Sequence, residues 1–309
     1  MNRILFFAVV IAMLFMNNCA KNVNHSEGGD GGIDTTQYAG LAYGTDSTVE
    51  ILTWNLENFP IEGGDIEGMP DPGREEYFKN IFKYLKVDLI AVEEVNYANN
   101  LIKIIEEFPE YGISMTPENV TQKTGFIYHK GVFAIQPGRT PQVLFPEEDY
   151  IFPRLPYLLP VECEMGGKTL NIDLIVLHLK ASQDSKSKER RRQAINKLYD
   201  YARTNVINAN VNYVILGDYN SDVDSETYLT TTFVADTLFS VLSVDSLEIN
   251  ESYYATYPGY TSIIDHIVVS KNLLNQIQLL DVETLRIDDT LRDYLYLMSD
   301  HRPVGMKFK

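Results

Sequence analysis

The stretch that decides the fold is Asn212-Tyr213-Val214-Ile215-Leu216-Gly217-Asp218-Tyr219-Asn220, an apolar run that ends in a glycine, an acid and an amide. Five other blocks share this design, and they are Thr53-Trp54-Asn55-Leu56-Glu57-Asn58, Val92-Glu93-Glu94-Val95, Val176-Leu177-His178-Leu179, Ile264-Asp265-His266-Ile267 and Ser299-Asp300-His301-Arg302-Pro303. Each block alone has an ordinary interpretation, because Gly, Asp and Asn are common turn residues and an Asp-His pair is commonly a surface contact. Together they predict one site, because α/β proteins place their active sites at the ends of apolar strands.

The residue types in these blocks indicate the chemistry of that site. Acids, amides and histidines together are typical of a site that binds a hard metal ion and transfers protons. Hydrolysis of an anionic phosphodiester needs a cation to withdraw charge and a base to activate water. Asparagine can donate to phosphate oxygens without adding negative charge. We therefore predict a hydrolase of phosphate esters.

Composition sets limits on partners. The chain has 309 residues, of which 45% are hydrophobic and 22% charged, values typical of a globular protein. Its 26 basic and 43 acidic residues give a net charge of −17, which repels polyanions at long range. This charge disfavours a high-affinity nucleic-acid binder. It does not exclude a nuclease, whose contacts are few and metal-assisted.

Residues 1–19 are predicted to be a signal peptide. Arg3 provides a positive start, and the apolar run from Ile4 to Met16 is too short to span a bilayer. Cys19 follows directly, which resembles the lipoprotein type of signal, where this cysteine is lipidated. Ordinary cleavage after Ala20 is the alternative. Both predict an exported protein of the cell envelope, either membrane-anchored or secreted.

Residues 20–47 are predicted to be a flexible tether, because the segment is rich in Gly, Asn, Ser, Asp and Thr and offers little apolar surface to bury. Cys163 is the other cysteine of the chain. It lies in an alternating run and is expected to be a buried apolar side chain without a disulfide.

From about residue 48 the pattern alternates between strands and helices. Apolar faces of helical period predict helices over 74–85, 98–108 and 188–206. Short apolar runs predict strands over 49–56, 88–92, 125–128, 132–135, 158–164, 170–178, 212–217, 264–270 and 304–308. Closely spaced strands favour antiparallel hairpins, so the sheets should be mixed. We expect a single α/β domain over 48–309, with two mixed sheets packed face to face and helices outside.

In their order and type, the six blocks resemble those of the endonuclease/exonuclease/phosphatase superfamily, which includes deoxyribonuclease I, abasic-site endonucleases, sphingomyelinases and inositol polyphosphate 5-phosphatases. The resemblance covers residues 48–309 and implies a four-layered α/β/β/α sandwich. It also implies Mg²⁺ as cofactor, with Mn²⁺ or Ca²⁺ as alternatives. The metal-site residues implied are Asn55, Glu94 and Asp300, with Glu94 as the principal ligand.

The same resemblance implies the catalytic residues His178, Asp218, Asn220, Asp265 and His301. In this interpretation Asp265 orients His301, which accepts a proton, while His178 acts in protonated form on the leaving group or binds phosphate. Arg154, Asn220 and His178 are the substrate-binding residues implied. Two departures stand out: Glu93 replaces the glutamine common before the metal-binding glutamate, and Asn96 replaces an arginine of the deoxyribonuclease branch.

The substrate is the open question. A basic set follows His178, namely Lys180, Lys186, Lys188, Arg190, Arg191, Arg192 and Lys197. It is either a solvated helix face or a basic rim that binds a phosphate backbone. We expect a monomeric nuclease that is exported and membrane-tethered. A phospholipid, inositol phosphate or sugar phosphate hydrolase is the alternative, and an inactive binding protein on this scaffold is a third possibility.

Overall fold

The structure is a computed structural model that describes residues 35–61, 68–117, 121–222, 228–233, 237–247 and 250–309. The predicted signal peptide, Cys19 and residues 20–34 of the predicted tether lie outside the described residues. Among the described helices, none has the length and apolar character needed to cross a bilayer.

Thirteen strands and nine α-helices make up the described part of the chain. The strands are β1 (Val49–Phe59), β2 (Leu89–Val95), β3 (Tyr111–Met115), β4 (Lys123–His129), β5 (Phe133–Ile135), β6 (Gln142–Val143), β7 (Tyr157–Met165), β8 (Lys168–His178), β9 (Asn212–Asp218), β10 (Phe239–Val241), β11 (Asp265–Ser270), β12 (Leu279–Thr284) and β13 (Val304–Phe308). The helices are α1 (Pro72–Leu85), α2 (Ala98–Glu106), α3 (Ser185–Ala209), α4 (Tyr228–Phe233), α5 (Leu242–Leu247), α6 (Glu251–Tyr254), α7 (Lys271–Leu274), α8 (Ile287–Thr290) and α9 (Tyr294–Leu297).

The strands form two mixed sheets, as the sequence predicts. One sheet has the order β12-β13-β1-β2-β4-β3, and the other has β10-β11-β9-β8-β7-β5, with β6 paired to β7. The pairs β1–β2 and β8–β9 are parallel, and the remaining pairs are antiparallel. Because β13 runs against β1 and β11 against β9, the starts of β11 and β13 lie at the same edges as the ends of β1 and β9.

Alternation along the strands creates four layers. In β1, Ile51 joins the core between the two sheets, while Leu52 joins a second core on the outer face with α1 and α2. In β8, Val176 faces the other sheet, while Leu177 packs in a third core with α3. This period of two buries both faces of each sheet. The predicted α/β/β/α sandwich is confirmed.

One boundary differs from the prediction. Residues 35–41, which fall in the predicted tether, form a 3₁₀ helix that packs beside α1. Tyr38, Leu41 and Tyr43 are buried, and the Tyr38 ring stacks on Tyr84 at 5.7 Å. The tether prediction is therefore wrong over residues 35–47, because three large apolar side chains among polar neighbours were enough to anchor the segment. The folded region begins by Thr35.

Cys163 is fully buried in β7, as predicted, and is a free thiol. Burial raises its pKa to about 12, so the thiol is inert at neutral pH.

Candidate active site

Strand ends from both sheets open onto one cavity of about 770 Å³. The predicted site residues that line it are Glu94, Arg154, His178, Asp218, Asn220, Asp300 and His301. Asn55 and Asp265 are buried and contact these lining residues from behind. The structure thus brings together every predicted site residue that it describes, across the whole span from 55 to 301.

The backbone at this edge is bent. Glu57, Glu94 and Asn220 have positive φ angles of 45°, 56° and 50°, which non-glycine residues adopt at a cost of about 1–3 kcal/mol each. The β1–β2 ladder shifts register between Asn55 and Phe59. These irregularities interrupt the regular strand backbone at the cavity, where the polar side chains lie, and the β1–β2 pairing resumes at Phe59 and Val95.

His301 is held by Asp265. Nδ1 of His301 lies 2.8 Å from Oδ2 of Asp265, which leaves Nε2 near Oδ1 of Asp300 (3.9 Å) and Oδ2 of Asp218 (4.0 Å). Burial lowers the pKa of His301, but the carboxylates of Asp265, Asp218 and Asp300 outweigh it and raise this pKa well above its usual value. The acids around the ring therefore favour its protonated form.

Asp218 is the hub of the buried polar network. Its Oδ1 accepts the Asn220 backbone N–H at 2.7 Å, and its Oδ2 accepts from the side-chain amides of Asn55 and Asn220 at 3.1 Å each. The Asn55 side-chain amide also donates to Oε1 of Glu94 at 3.3 Å. The side-chain oxygen of Asn55, Oδ1, accepts the Glu57 backbone N–H at 2.9 Å. Asn55 therefore orients two acids through its amide nitrogen.

His178 does not stand alone at its strand end. Its Nε2 lies 3.5 Å from both Oε1 of Glu94 and Oδ2 of Asp218. Burial, followed by the charges of Arg154 and His301, lowers the pKa of His178 well below its usual value. Although two acids are near, we favour this direction because the ring is fully enclosed. His178 is then a neutral N–H donor, in contrast to the expectation of a protonated group.

Glu57 is a site residue that the sequence interpretation missed. Its Oε2 accepts the Asp300 backbone N–H at 3.1 Å, and its side chain lines the cavity. Burial, followed by the charge of Asp300, raises the pKa of Glu57 to about 7, with Glu94 adding to the effect. The sequence signal that could have identified Glu57 is its position two residues after Asn55 in the block Thr53–Asn58.

Glu93 lies fully buried between the sheets, where Thr53 Oγ1 donates to its Oε1 at 2.7 Å. Desolvation raises the pKa of Glu93 well above its usual value, and the charges of Asp265 and Asp218 add to the effect. Burial therefore disfavours the charged form of this side chain.

Arg154 reaches the cavity from the loop before β7 and donates to Oε1 of Gln122. Gln122 in turn donates to Asn58 at 2.7 Å, and its backbone N–H donates to Asn96 at 2.8 Å. Burial lowers the pKa of Arg154, which the carboxylates of Glu94 and Asp218 partly offset. Its guanidinium thus faces the acids of the site, where an anionic substrate would lie.

A buried arginine ties the site together. Arg74 in α1 donates to the carbonyl oxygens of Leu56 (2.9 Å) and Glu57 (2.8 Å), and also to those of Ile61 and Met298. Ser299 Oγ donates to the Asn55 carbonyl oxygen at 2.6 Å. The end of β1 and the segment that carries Asp300 and His301 are therefore held as one unit.

The acids and histidines form two groups that are compact enough to hold a metal ion. The first is Glu94, His178 and Asp218, and the second is Asp218, Asp265 and His301. Asp300 belongs to neither group but lies with Glu57 on the cavity wall. Hard oxygen donors dominate, and their mutual repulsion is visible in the raised pKa of Glu57. These residues fit a divalent cation such as Mg²⁺.

The sequence model of the Endonuclease/Exonuclease/phosphatase family matches residues 52–301, which include five of the six blocks in full and the sixth as far as His301. The chain belongs to this family. It is therefore a hydrolase of phosphate esters of this family. Its acid and histidine groups can bind the divalent metal that enzymes of the family use. No curated protein matches the chain by sequence.

Solved structures share the fold at low sequence identity. The human Nocturnin catalytic domain has a TM-score of 0.59 at 13% identity and covers 85% of this chain and 94% of its own. D. rerio TDP2 complexed with a single-strand DNA product has a TM-score of 0.61 at 13% identity, and the match covers 85% of this chain and 100% of that one. A mannosyl-6-phosphatase from Bacteroides thetaiotaomicron has a TM-score of 0.57 at 14% identity, and the match covers 84% of this chain and 99% of that one.

Proposed function

We propose that the protein is a divalent-metal-dependent phosphodiesterase that cleaves nucleic acid. The observation that supports this most directly is the Asp265–His301 pair, whose Nε2 points into a cavity shared with Glu94, His178 and Asp218. A histidine oriented by an acid is suited to take a proton from water, which typically contributes about 10²–10⁴-fold to the rate.

Glu94 would hold the metal ion, since it belongs to the compact group with His178 and Asp218, and Glu57 and Asp300 would add carboxylates from the same cavity. When bound, a divalent cation withdraws charge from the phosphate and lowers the pKa of water. The remaining residues act through their own atoms. Asp265 fixes the tautomer of His301, and Nε2 of His301 accepts the proton once the surrounding negative charge is balanced.

Donors for the phosphate oxygens come from three side chains. The His178 ring N–H and the Arg154 guanidinium line the cavity and are held by burial and by a hydrogen bond, and the Asn220 amide, which donates to Leu179 and Asp218, would exchange one of these bonds for a phosphate oxygen. Preorganised donors of this kind stabilise charge that develops in the transition state. Asp218 holds the Asn220 amide in place.

The basic set after His178 supports a nucleic-acid substrate. Arg191 is buried and donates to the Lys180 and Ser182 carbonyl oxygens, so its role is structural. Among the described residues, Lys180, Arg190 and Arg154 have no carboxylate within 4.0 Å of their charged groups. The pKa of Lys180 is lowered, first by burial and then by Arg190 and Arg154. In a protein of net charge −17, these cations without a carboxylate partner lie beside the cavity and favour the binding of a second phosphate group of a nucleic-acid strand.

The test is hydrolysis of plasmid DNA, RNA, sphingomyelin, an inositol polyphosphate and a sugar phosphate, each with Mg²⁺ and with excess chelator. We expect cleavage of nucleic acid with Mg²⁺ alone. Cleavage confined to a lipid or a phosphomonoester would favour the alternative hydrolase. Full activity in chelator would contradict metal dependence, and inactivity on all five would favour a binding protein.

We further propose that the protein is exported, tethered to a membrane through a lipid on Cys19, and monomeric. This rests on the sequence of residues 1–19. Mass spectrometry of the mature N-terminus tests it: a lipid-bearing Cys19 is the expected result, and an unmodified N-terminus at Lys21 would show ordinary cleavage instead. Light scattering of the protein without its lipid tests the monomer.

A further inference from the structure

Two tyrosines form an aromatic surface that leads away from His301. The rings of Tyr257 and Tyr260 stack with centroids 5.1 Å apart and planes 9° apart, and both line the cavity. The Tyr257 ring also contacts the His301 ring, with a centroid distance of 4.9 Å. A stack of rings therefore runs from the proposed proton acceptor to the cavity rim.

Tyr260 stands out because its large ring is 75% exposed although it stacks on Tyr257. A short 3₁₀ turn, Pro258–Tyr260, carries it. The backbone closes this turn through Tyr260 N–H to the Tyr257 carbonyl at 3.2 Å, and through paired bonds between Tyr257 and Ser262 at 3.0 and 3.3 Å. The ring is therefore presented to solvent by an ordered loop.

We propose that Tyr260 is a stacking platform for a nucleobase of the substrate, next to the phosphate at His301. The inference rests on the proposed function and names the substrate feature that the rim recognises. Aromatic rings stack on any base, because every base has a π face, and the contribution is about tenfold or more in binding per base. One face of Tyr260 is covered by Tyr257, so the stack can be extended on the other.

The chemistry of this side of the cavity favours a substrate that carries a flat aromatic base, such as a nucleotide, over a sugar phosphate. The several hydroxyl groups of a sugar need several hydrogen-bonding partners, and two stacked tyrosines offer only their phenol oxygens, whereas a base needs only a π face to stack on. The cations Arg154, Lys180 and Arg190 are the groups suited to phosphate, and they come from the loop before β7 and from the chain that follows β8. Base recognition at Tyr260 and phosphate recognition at the cations therefore use different residues.

The test uses dinucleotides with one phosphodiester bond, so that the cleavage site is fixed. Thymidylyl-thymidine is compared with two analogues in which an abasic tetrahydrofuran replaces one or the other nucleoside. We expect Tyr260→Ala to raise KM about tenfold for thymidylyl-thymidine and for one analogue, and to leave KM unchanged for the analogue that lacks the stacked base. Tyr260→Trp should retain the wild-type KM, and kcat should change little in either variant.

Tyr253→Ala is the matched control, because Tyr253 is 45% exposed and lies on the same segment but does not line the cavity. It should behave as wild type. An equal rise in KM for all three substrates would show that Tyr260 acts through loop structure, and would overturn the proposal. An unchanged KM would overturn it while leaving hydrolysis intact. If the wild-type enzyme cleaves plasmid DNA but none of the three, the platform is overturned and the nuclease proposal stands; if it cleaves no nucleic acid at all, both fail.

Discussion

At the residue scale, the two histidines of the cavity differ in their surroundings. His301 faces Asp265, Asp218 and Asp300, which raise its pKa, while His178 is enclosed next to Arg154 and His301, and its pKa is lowered. The first is suited to hold or accept a proton and the second to donate a neutral hydrogen bond. Their chemistry is therefore set by neighbours from several strands.

Replacing either histidine by alanine should lower kcat about 10²–10⁴-fold, because each removes a contact made in the transition state. The double variant should lose less than the product of the two, since both act on one transition state. Single-turnover kinetics on a nucleic-acid substrate measures this, with circular dichroism as the check on folding. Near-wild-type turnover of His301→Ala would contradict the assignment, and a loss confined to His301→Ala would make His178 structural.

Residue identity at the strand ends could be predicted from sequence, but protonation state could not. The family resemblance of the blocks implied that Asp265 orients His301, and the structure has the two side chains in contact. The raised pKa of Glu93 could not be predicted, because it follows from complete burial between two sheets. Tyr257, Tyr260 and Gln122 were missed because they lie in loops, where no periodicity marks a side chain that lines a cavity.

At the element scale, β1 begins beside a pair of acids far from the cavity. Glu50 is fully buried, and its backbone N–H donates to Asp88 at 3.1 Å. Burial raises the pKa of Glu50 to about 7, and Asp88 adds to the effect. A raised pKa means that the folded state holds this proton more tightly than the unfolded chain does. The stabilisation is thus present below about pH 4.5 and is lost as pH rises through 7.

Glu50→Gln should therefore raise the free energy of unfolding at pH 8 by about 1–3 kcal/mol and change it little at pH 4.5. The amide keeps an acceptor for Thr48 and gains a donor toward Asp88. Urea unfolding at both pH values measures the difference. Glu106→Gln, at an exposed position, is the control and should show no such pH dependence. Lower stability of Glu50→Gln at pH 8 would contradict the account.

Helix α1 contributes Arg74, which joins the end of β1 to the segment before Asp300. Arg74→Lys should lower the free energy of unfolding by about 2–4 kcal/mol, because one ammonium group cannot reach all four carbonyl oxygens. Urea unfolding tests this, with Arg192→Lys as the control, since Arg192 is an exposed arginine that pairs with Glu189. Wild-type stability of Arg74→Lys would show that the hydrogen bonds of Arg74 to these carbonyl oxygens contribute little to the free energy of unfolding.

Long apolar elements were predictable and short ones were not. The predicted strand over 170–178 and helix over 188–206 carry a clear period, and the structure extends them to Lys168–His178 and Ser185–Ala209. β12 has an exposed, mixed pattern and exists because it pairs with β13. Its formation depends on a partner strand, which local sequence does not reveal.

At the scale of the whole molecule, the sandwich explains why blocks from residue 53 to residue 301 form one site. The parallel pairs β1–β2 and β8–β9 end at the cavity, and the antiparallel neighbours β13 and β11 begin there. The acids gathered at this edge carry part of the net charge of −17 and leave a local surplus of negative charge. A bound cation would relieve that surplus, so binding of metal and activity should be coupled.

The most direct test of this account is a Mg²⁺ titration of hydrolysis of a fluorescently labelled oligonucleotide by wild type, Glu94→Gln and Glu93→Gln. Glu94→Gln removes a carboxylate from the cavity wall and should lower activity at least about 10²-fold at every Mg²⁺ concentration. Glu93→Gln changes a neighbouring side chain that is fully buried and does not line the cavity, so it should match the wild type. Equal activity of Glu94→Gln and wild type, or wild-type activity that persists without divalent metal, would contradict the account.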